Sequence, residues 1–252
     1  MTRWEDLAWP ELAGLDNEVG LIPVGATEQH GPHLPTGTDT IIATALCSQV
    51  SEVTGCPVLP AVPVAVSYGH GTTLPGTLSL TPELLALVAR QYAEWAATSG
   101  LTRLLFVNAH FGNSAALGVA TDHLRLYRPD LQVGLIDWWT VTPEVASEMT
   151  VDGADVHAHR AETSVMLAVA PDLVHLDRLS SSDDPDRTAG LVFRYTAAAL
   201  STNGVTGSPS QASQALGRRL FDAAVAAIAS GVERGRVEKP PLGAAPVPFL
   251  SA

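Results

Sequence analysis

Three side chains able to hold a metal ion, Glu28, His30 and Asp39, fall within a dozen residues, in Thr27-Glu28-Gln29-His30-Gly31-Pro32-His33-Leu34-Pro35 and the nearby Gly37-Thr38-Asp39. Glu28 and His30 are two apart, so in extended backbone they point the same way and can approach one centre or two adjacent ones. Asp39 has two oxygens with which to bridge a pair of ions. A further imidazole, His110, stands in Asn108-Ala109-His110-Phe111-Gly112-Asn113. One isolated histidine is more often a core or surface residue, but four candidate ligands in two short segments point to a metal centre. His33, hemmed by Pro32 and Pro35, is read as shaping the turn and is left out of the ligand set. Metal ions acidify water and polarise carbonyls, which makes hydrolysis the natural chemistry. Ser114 and Ser164 have no recognisable base beside them, so covalent catalysis is not expected.

The flanking pattern says what positions these groups. Leu21-Ile22-Pro23-Val24-Gly25 reads as a buried strand, and Thr38 to Val50 as a helix with Ile41, Ile42, Ala45 and Leu46 on one face. Val58 to Val66 is extended, although Pro57, Pro60 and Pro63 keep it from being an ordinary central strand. Thr81-Pro82-Glu83 opens a helix that runs to about Thr98 and stops at Gly100. Leu104 to Val107 and Val133 to Ile136 read as strands, with a helix from Ser114 to Leu126 between them. Alternating strands and helices predict an α/β fold, a single three-layer αβα domain over residues 1–252 around a mainly parallel sheet. Ligands bind such sheets beyond the carboxyl ends of the strands, where the Glu28 and His110 segments follow Val24 and Val107. Ser180 to Asp186 reads as a surface loop, Gln211 to Val232 as a last helix, and the proline-rich stretch from Lys239 as an extended arm.

With 14 Lys plus Arg against 26 Asp plus Glu, the net charge is −12. So few cations leave little for a phosphate backbone, and neither a nucleic acid nor an anionic membrane surface is expected as partner. No apolar run reaches the roughly 18 residues of a membrane span, and the N-terminus lacks a secretory pattern, so a cytoplasmic location is expected. Cys47 and Cys56 sit in apolar company and read as core residues.

Several segments, taken in order, resemble the creatininase family of metal-dependent amide hydrolases. They are Gly25 to Pro35, Gly37-Thr38-Asp39, Pro75-Gly76-Thr77-Leu78-Ser79-Leu80, Val107 to Asn113, and Asp155-Val156-His157-Ala158 with Glu162-Thr163-Ser164. The resemblance implies two divalent ions per chain, zinc, iron or manganese, in a creatininase-like domain that assembles as a homo-oligomer, often a hexamer. By motif, Glu28, Asp39 and His110 would hold one ion, and His30, Asp39 and a second carboxylate the other. Creatininase places that carboxylate two residues after the histidine of the fourth motif, where this chain has Gly112. Glu162 is then the candidate, as ligand or as the base that takes a proton from water, unless it merely braces its helix. His157 matches the group that protonates the leaving nitrogen. His159 stands where the family has glycine, and with Arg160 it either adds positive charge to the substrate end or lies in solvent.

Tyr68 and His70, on the loop from Ser67 to Thr77, and Trp138 and Trp139 are candidate substrate contacts, although at least one tryptophan is expected in the core and His70 could be exposed. That loop is shorter than in many members, which suggests a more open pocket. The substrate expected is a small molecule or a short peptide. Within that family the chain resembles most the peptidases or amidases of natural-product, mycofactocin-like peptide maturation, in its fourth motif without the downstream Glu, its Glu-Thr-Ser helix and Gly204 to Pro209. Phe111 and His159 depart from that branch, where glycine is usual at both positions. A cyclic-amide hydrolase, a formamide or sugar-lactone-type hydrolase, and a non-catalytic metal-binding assembly subunit are the alternatives.

Overall fold

The computed structural model describes residues 1–15, 18–71 and 74–241. Five parallel strands, β1 (Thr2–Arg3), β2 (Val19–Val24), β3 (Pro57–Val58), β4 (Arg103–Asn108) and β5 (Gln132–Asp137), form one sheet in the order β1-β3-β2-β4-β5. β2 and β4 pair over their full length, from Val19 opposite Arg103 to Val24 opposite Asn108. Their carboxyl ends are therefore level, and the segments that follow emerge side by side.

Helices cover both faces. After the one-turn α1 (Trp9–Leu12) come α2 (Thr38–Thr54), α3 (Pro82–Thr98), α4 (Ser114–Tyr127), α5 (Pro143–Met149) and α6 (Arg160–Val169). The one-turn α7 (Leu176–Leu179) and α8 (Ala197–Leu200) precede the long α9 (Gln214–Val237). Strand side chains alternate between two cores, as the two-residue period requires. Ile22, Val24, Leu104 and Phe106 pack with α3 and α4, whereas Val19, Leu21 and Val107 pack with α2, α6 and α9. Cys47 and Cys56 are unlinked and buried in the second of these cores. α6 and α9 cross closely enough that a Cβ on Gly217 would meet the Ser164 carbonyl oxygen.

Helix ends follow local chemistry. Thr81 Oγ1 accepts from the Leu84 amide ahead of α3, and Gly55, left-handed at φ +76°, ends α2. α9 begins at Gln214 and not at Gln211, because Ser213 accepts from the Leu216 amide and Pro209–Gln211 forms a separate 3-10 turn. The expected surface loop at Ser180 to Asp186 is partly interior: Ser182 and Asp184 are buried. Asp184 accepts from Ser201, Thr202 and Arg187, and this polar cluster is what draws an otherwise hydrophilic segment inward. Of the proline-rich arm, only its first residues are described. Residues from 242 onward lie outside the described residues.

Candidate metal centre

The chain leaving β2 stays extended past the sheet, with the Gly25 amide donating to the Val62 carbonyl at 3.1 Å and the Leu78 amide to the Thr27 carbonyl at 2.9 Å. Gly25 passes so near the start of α2 that a Cβ there would lie 2.3 Å from the Thr40 nitrogen. This approach seats Asp39, in the first turn of α2, against Glu28 and His30. From the 3-10 turn after β4, Asn113 reaches across: its amide nitrogen donates to the Gly25 carbonyl at 2.9 Å and its oxygen accepts from the Val66 amide at 3.1 Å. Asn108 in turn accepts from the His110 amide at 3.1 Å. Neither asparagine was singled out from the sequence as a positioning residue. Their place at and just beyond the end of a buried strand was the available signal.

Glu28, His30, Asp39, His110 and Glu162 are all buried. Glu28, Asp39 and His110 present ligand atoms within 4.8 Å of one another, as do His30, Asp39 and Glu162, and Glu28, His30 and His157 form a third such group. Asp39 belongs to both of the first two. Its Oδ1 lies 3.1 Å from His30 Nε2, and its Oδ2 lies 3.2 Å from His110 Nδ1.

Each of these histidines has a backbone carbonyl on its far nitrogen: Glu28 O at 3.2 Å from His30 Nδ1, and Val66 O at 2.7 Å from His110 Nε2. A carbonyl only accepts, so the far nitrogen keeps its proton, and the near one, which faces the carboxylates, is the nitrogen that would give up its proton to bind an ion. Metal-bound histidines are held in this way. Both oxygens of Glu28 and Oδ2 of Asp39 are buried without a hydrogen-bond donor. Burial raises the Glu28 carboxyl to about 7. Burial would depress His30 and His110, but the charge of Asp39 and its hydrogen bond raise His30 to about 10, and Glu28 with Asp39 raises His110 to about 9. Buried carboxylates with unpartnered oxygens, held in that state only by protons, are an arrangement in which a divalent cation can take the protons' place, so the residues present fit a metal centre.

Glu162, in the first turn of α6, reaches the cluster from a separate element. His159 Nδ1 lies 3.2 Å from its Oε2. Two residues earlier, His157 Nε2 donates to the Gln29 carbonyl at 2.7 Å, and its Nδ1 lies 3.5 Å from Glu28 Oε1. Burial, with the nearby His70 and His30, lowers the His157 pKa well below its usual value, so the ring is neutral. Between them Ala158 takes φ +50°, a left-handed conformation that costs a residue with a Cβ about 1 kcal/mol. The turn lets adjacent histidines address different carboxylates.

Gly112 explains where the second carboxylate is found. A Cβ there would lie 2.3 Å from the Val66 carbonyl oxygen and 2.5 Å from His110 Nε2. No larger side chain fits without moving that backbone, and the carboxylate in reach of His30 and Asp39 comes from α6 instead.

A cavity of about 830 Å³ opens beside the cluster, lined by Tyr68, His70, His110 and His157 and, opposite, by the strap from Leu191 to Tyr195. Tyr68 is half exposed on its wall. His70 is drawn inward, with Nδ1 2.9 Å from Gln29 Nε2 and its ring 4.1 Å from that of His157. Thr72 and Thr73 of the same loop lie outside the described residues. Three of the expected substrate contacts are placed elsewhere. Trp138 is a core residue, 1% exposed. Trp139 packs tilted against Phe111, with ring centres 4.2 Å apart, and is not among the residues lining the cavity. His159 is fully buried behind Glu162, and Arg160 is spent on Glu148, so neither puts positive charge in the cavity. Both are occupied by acids that the sequence places far from them or a turn away. The aromatic and cationic side chains of the strap, Phe193, Arg194 and Tyr195, were not anticipated, since nothing in their spacing marks a site. His33 meets Thr163 at 2.9 Å and braces α6.

The family described as creatinine amidohydrolase, Creatininase, matches residues 5–232. The chain belongs to the creatininase family. It is 36% identical to a mycofactocin precursor peptide peptidase of Mycolicibacterium smegmatis, over 87% of this chain and 86% of that one. It is 31% identical to a creatinine amidohydrolase of Pseudomonas putida, over 94% and 96%. A mutant creatininase of the Zn-Zn type superposes with a TM-score of 0.82 at 30% identity, covering 94% of this chain and 98% of the other. Membership makes this creatininase-family chain a metal-dependent amide hydrolase with the family's α/β three-layer fold. Among the described residues, no helix is long and apolar enough to cross a membrane.

Proposed function

We propose that the chain hydrolyses an amide bond of a short, modified peptide in natural-product maturation, using two divalent ions of zinc, iron or manganese. Glu28, Asp39 and His110 would hold one, and His30, Asp39 and Glu162 the other. Such ions make water a nucleophile near neutral pH and polarise the scissile carbonyl. The chain's own groups supply the rest. Neutral His157 has an unprotonated Nδ1 facing the centre, which can take up the proton released by the attacking water and hand it to the departing amine. Glu162, held by His159, is within reach of the same centre and can accept a proton from water.

The observation that carries this reading is two three-residue ligand groups sharing Asp39, reached through His110 from a cavity of about 830 Å³. That volume suits a peptide segment better than a single five-membered ring. Similarity to the mycofactocin precursor peptide peptidase points the same way. Gly112, with no space for a carboxylate, favours it over creatinine. The reading further includes one catalytic domain, a cytoplasmic location and a homo-oligomer, with the hexamer as the family's size. Trp9, at 82% exposed, and Trp95, at 69%, are apolar surface that an assembly would cover. The test is elemental analysis of the purified protein, with cleavage of short peptides, formamides and cyclic amides before and after chelation and metal return. Two ions per chain with chelator-sensitive peptide cleavage is the expected result. A metal-free protein that cleaves nothing after metal return would shift the reading to a non-catalytic assembly subunit.

A further inference from the structure

Gln29 makes contacts that leave no freedom to its amide. The Gly31 backbone N–H donates to Gln29 Oε1 at 3.0 Å, and Gln29 Nε2 donates to the Gly204 carbonyl at 3.0 Å. A backbone N–H only donates and a carbonyl only accepts, so turning the amide over would lose both bonds. The same Nε2 lies 2.9 Å from His70 Nδ1. Facing a donor, that ring nitrogen must accept and carries no proton. The proton of the His70 ring, which lines the cavity, is therefore on Nε2, 3.8 Å from Glu28 Oε1. An imidazolium would set two donors against each other at Gln29, so the contact excludes the charged ring on geometry alone.

The partner ring has the opposite arrangement. His157 gives its Nε2 proton to the Gln29 backbone carbonyl and leaves Nδ1 bare towards Glu28. The two rings lie 4.1 Å apart, tilted by 41°, one showing the site an N–H and the other a lone pair. Gln29, through its side chain and its own carbonyl, sets both.

We propose that His70 is a catalytic residue that acts as a fixed neutral N–H donor to the scissile carbonyl oxygen as it gains negative charge, with Gln29 the positioning residue that holds its tautomer. A donor already aimed at the developing charge need not reorganise, which is what makes such groups effective. The division of labour follows: His157 moves a proton at Nδ1, whereas His70 moves none. This inference rests on the amide-hydrolase reading of the same site.

The test uses the metal-loaded protein and a peptide amide that the wild type cleaves. His70→Phe, which keeps a ring and removes both nitrogens, is expected to lower kcat roughly 100-fold with metal content unchanged and both limbs of the pH profile retained. His70→Gln, which restores an N–H, is expected to recover part of that loss. Gln29→Glu, which removes the donor facing Nδ1, is expected to lower kcat with little change in KM. In spectra of the wild type labelled with 15N at histidine, His70 is expected to show a pyridine-like Nδ1 and a pyrrole-like Nε2, and Gln29→Glu to abolish that pattern. Loss of a metal ion in His70→Phe would make His70 a ligand, and loss of a pH limb would make it an acid or base. Either result, or an unchanged kcat, overturns the proposed role. A wild-type holoenzyme that cleaves no amide overturns the underlying reading instead, and the tautomer spectrum then still reports whether Gln29 controls the ring.

Discussion

Asp39 Oδ1 lies 3.1 Å from His30 Nε2, with both side chains sealed from solvent. The other oxygen of the same carboxylate faces His110 Nδ1 at 3.2 Å, so one aspartate joins a histidine that follows β2 to a histidine that follows β4. Asp39→Asn is expected to lose both ions, and His30→Ala to lose the ion it shares with Glu162, in each case together with activity. Metal counted per chain after dialysis, beside turnover, checks this. Full activity in His30→Ala would remove the case for a dinuclear site.

His157→Ala should separate binding from chemistry. Its Nδ1 faces Glu28, but its place in the proposed mechanism is proton transfer and not holding an ion. Metal content is expected to stay at the wild-type level while kcat falls roughly 10²- to 10⁴-fold, with one limb of the pH profile gone. A loss of metal in this variant would assign His157 to the third ligand group instead.

His159 supports Glu162 from behind. With its Nδ1 3.2 Å from Glu162 Oε2, it holds one orientation of a carboxylate that would otherwise swing. Partners of this kind are worth roughly 10- to 100-fold in metal affinity. Titrating metal into the metal-free His159→Ala protein is expected to show one weakened ion and one unchanged. Equal weakening of both would point to a general loss of structure.

Asp184 ties the acid stability of the protein to the segment that walls the cavity. Burial would raise its pKa, but hydrogen bonds from Arg187, from the Thr202 amide and from Ser201 hold it at about 2, against 3.8 for an ordinary aspartate. A depressed folded-state pKa contributes stability that is complete above about pH 4 and is lost as the pH falls towards 2. The size is about 2 kcal/mol at most. Asp184→Asn is expected to lower Tm at neutral pH and to flatten its fall between pH 4 and 2, as read by thermal unfolding in a pH series.

Much of this molecule was legible in the linear chain. β2, β4 and the helices after them are set by local pattern: continuous apolar runs for strands buried on both faces, and the Thr81 cap with Pro82 for α3. Glu28, His30, Asp39 and His110 could be singled out because each stands within a few residues of a strand end or helix start, where a parallel sheet presents its ligands. Residue type and short-range spacing suffice when the element that carries a side chain also directs it.

Contacts between distant segments decided the remainder. Only the crossing of α6 beside α2 brings Glu162 to His30 and Asp39, and only the packing of Val66 against Gly112 excludes a carboxylate from the fourth motif. His159 and Arg160, adjacent in the sequence, were each claimed by a different acid. Trp138 and Trp139 carry the same side chain, yet one fills the core and the other backs Phe111. The protonation pattern of His70 and His157 depends on Gly31, Gly204 and Gln29 meeting in space, across as many as 175 residues of chain. Hydrogen bonds and steric exclusion act over a few ångströms whatever the separation in sequence, and for that reason the tautomers and the second carboxylate belong to the folded chain alone.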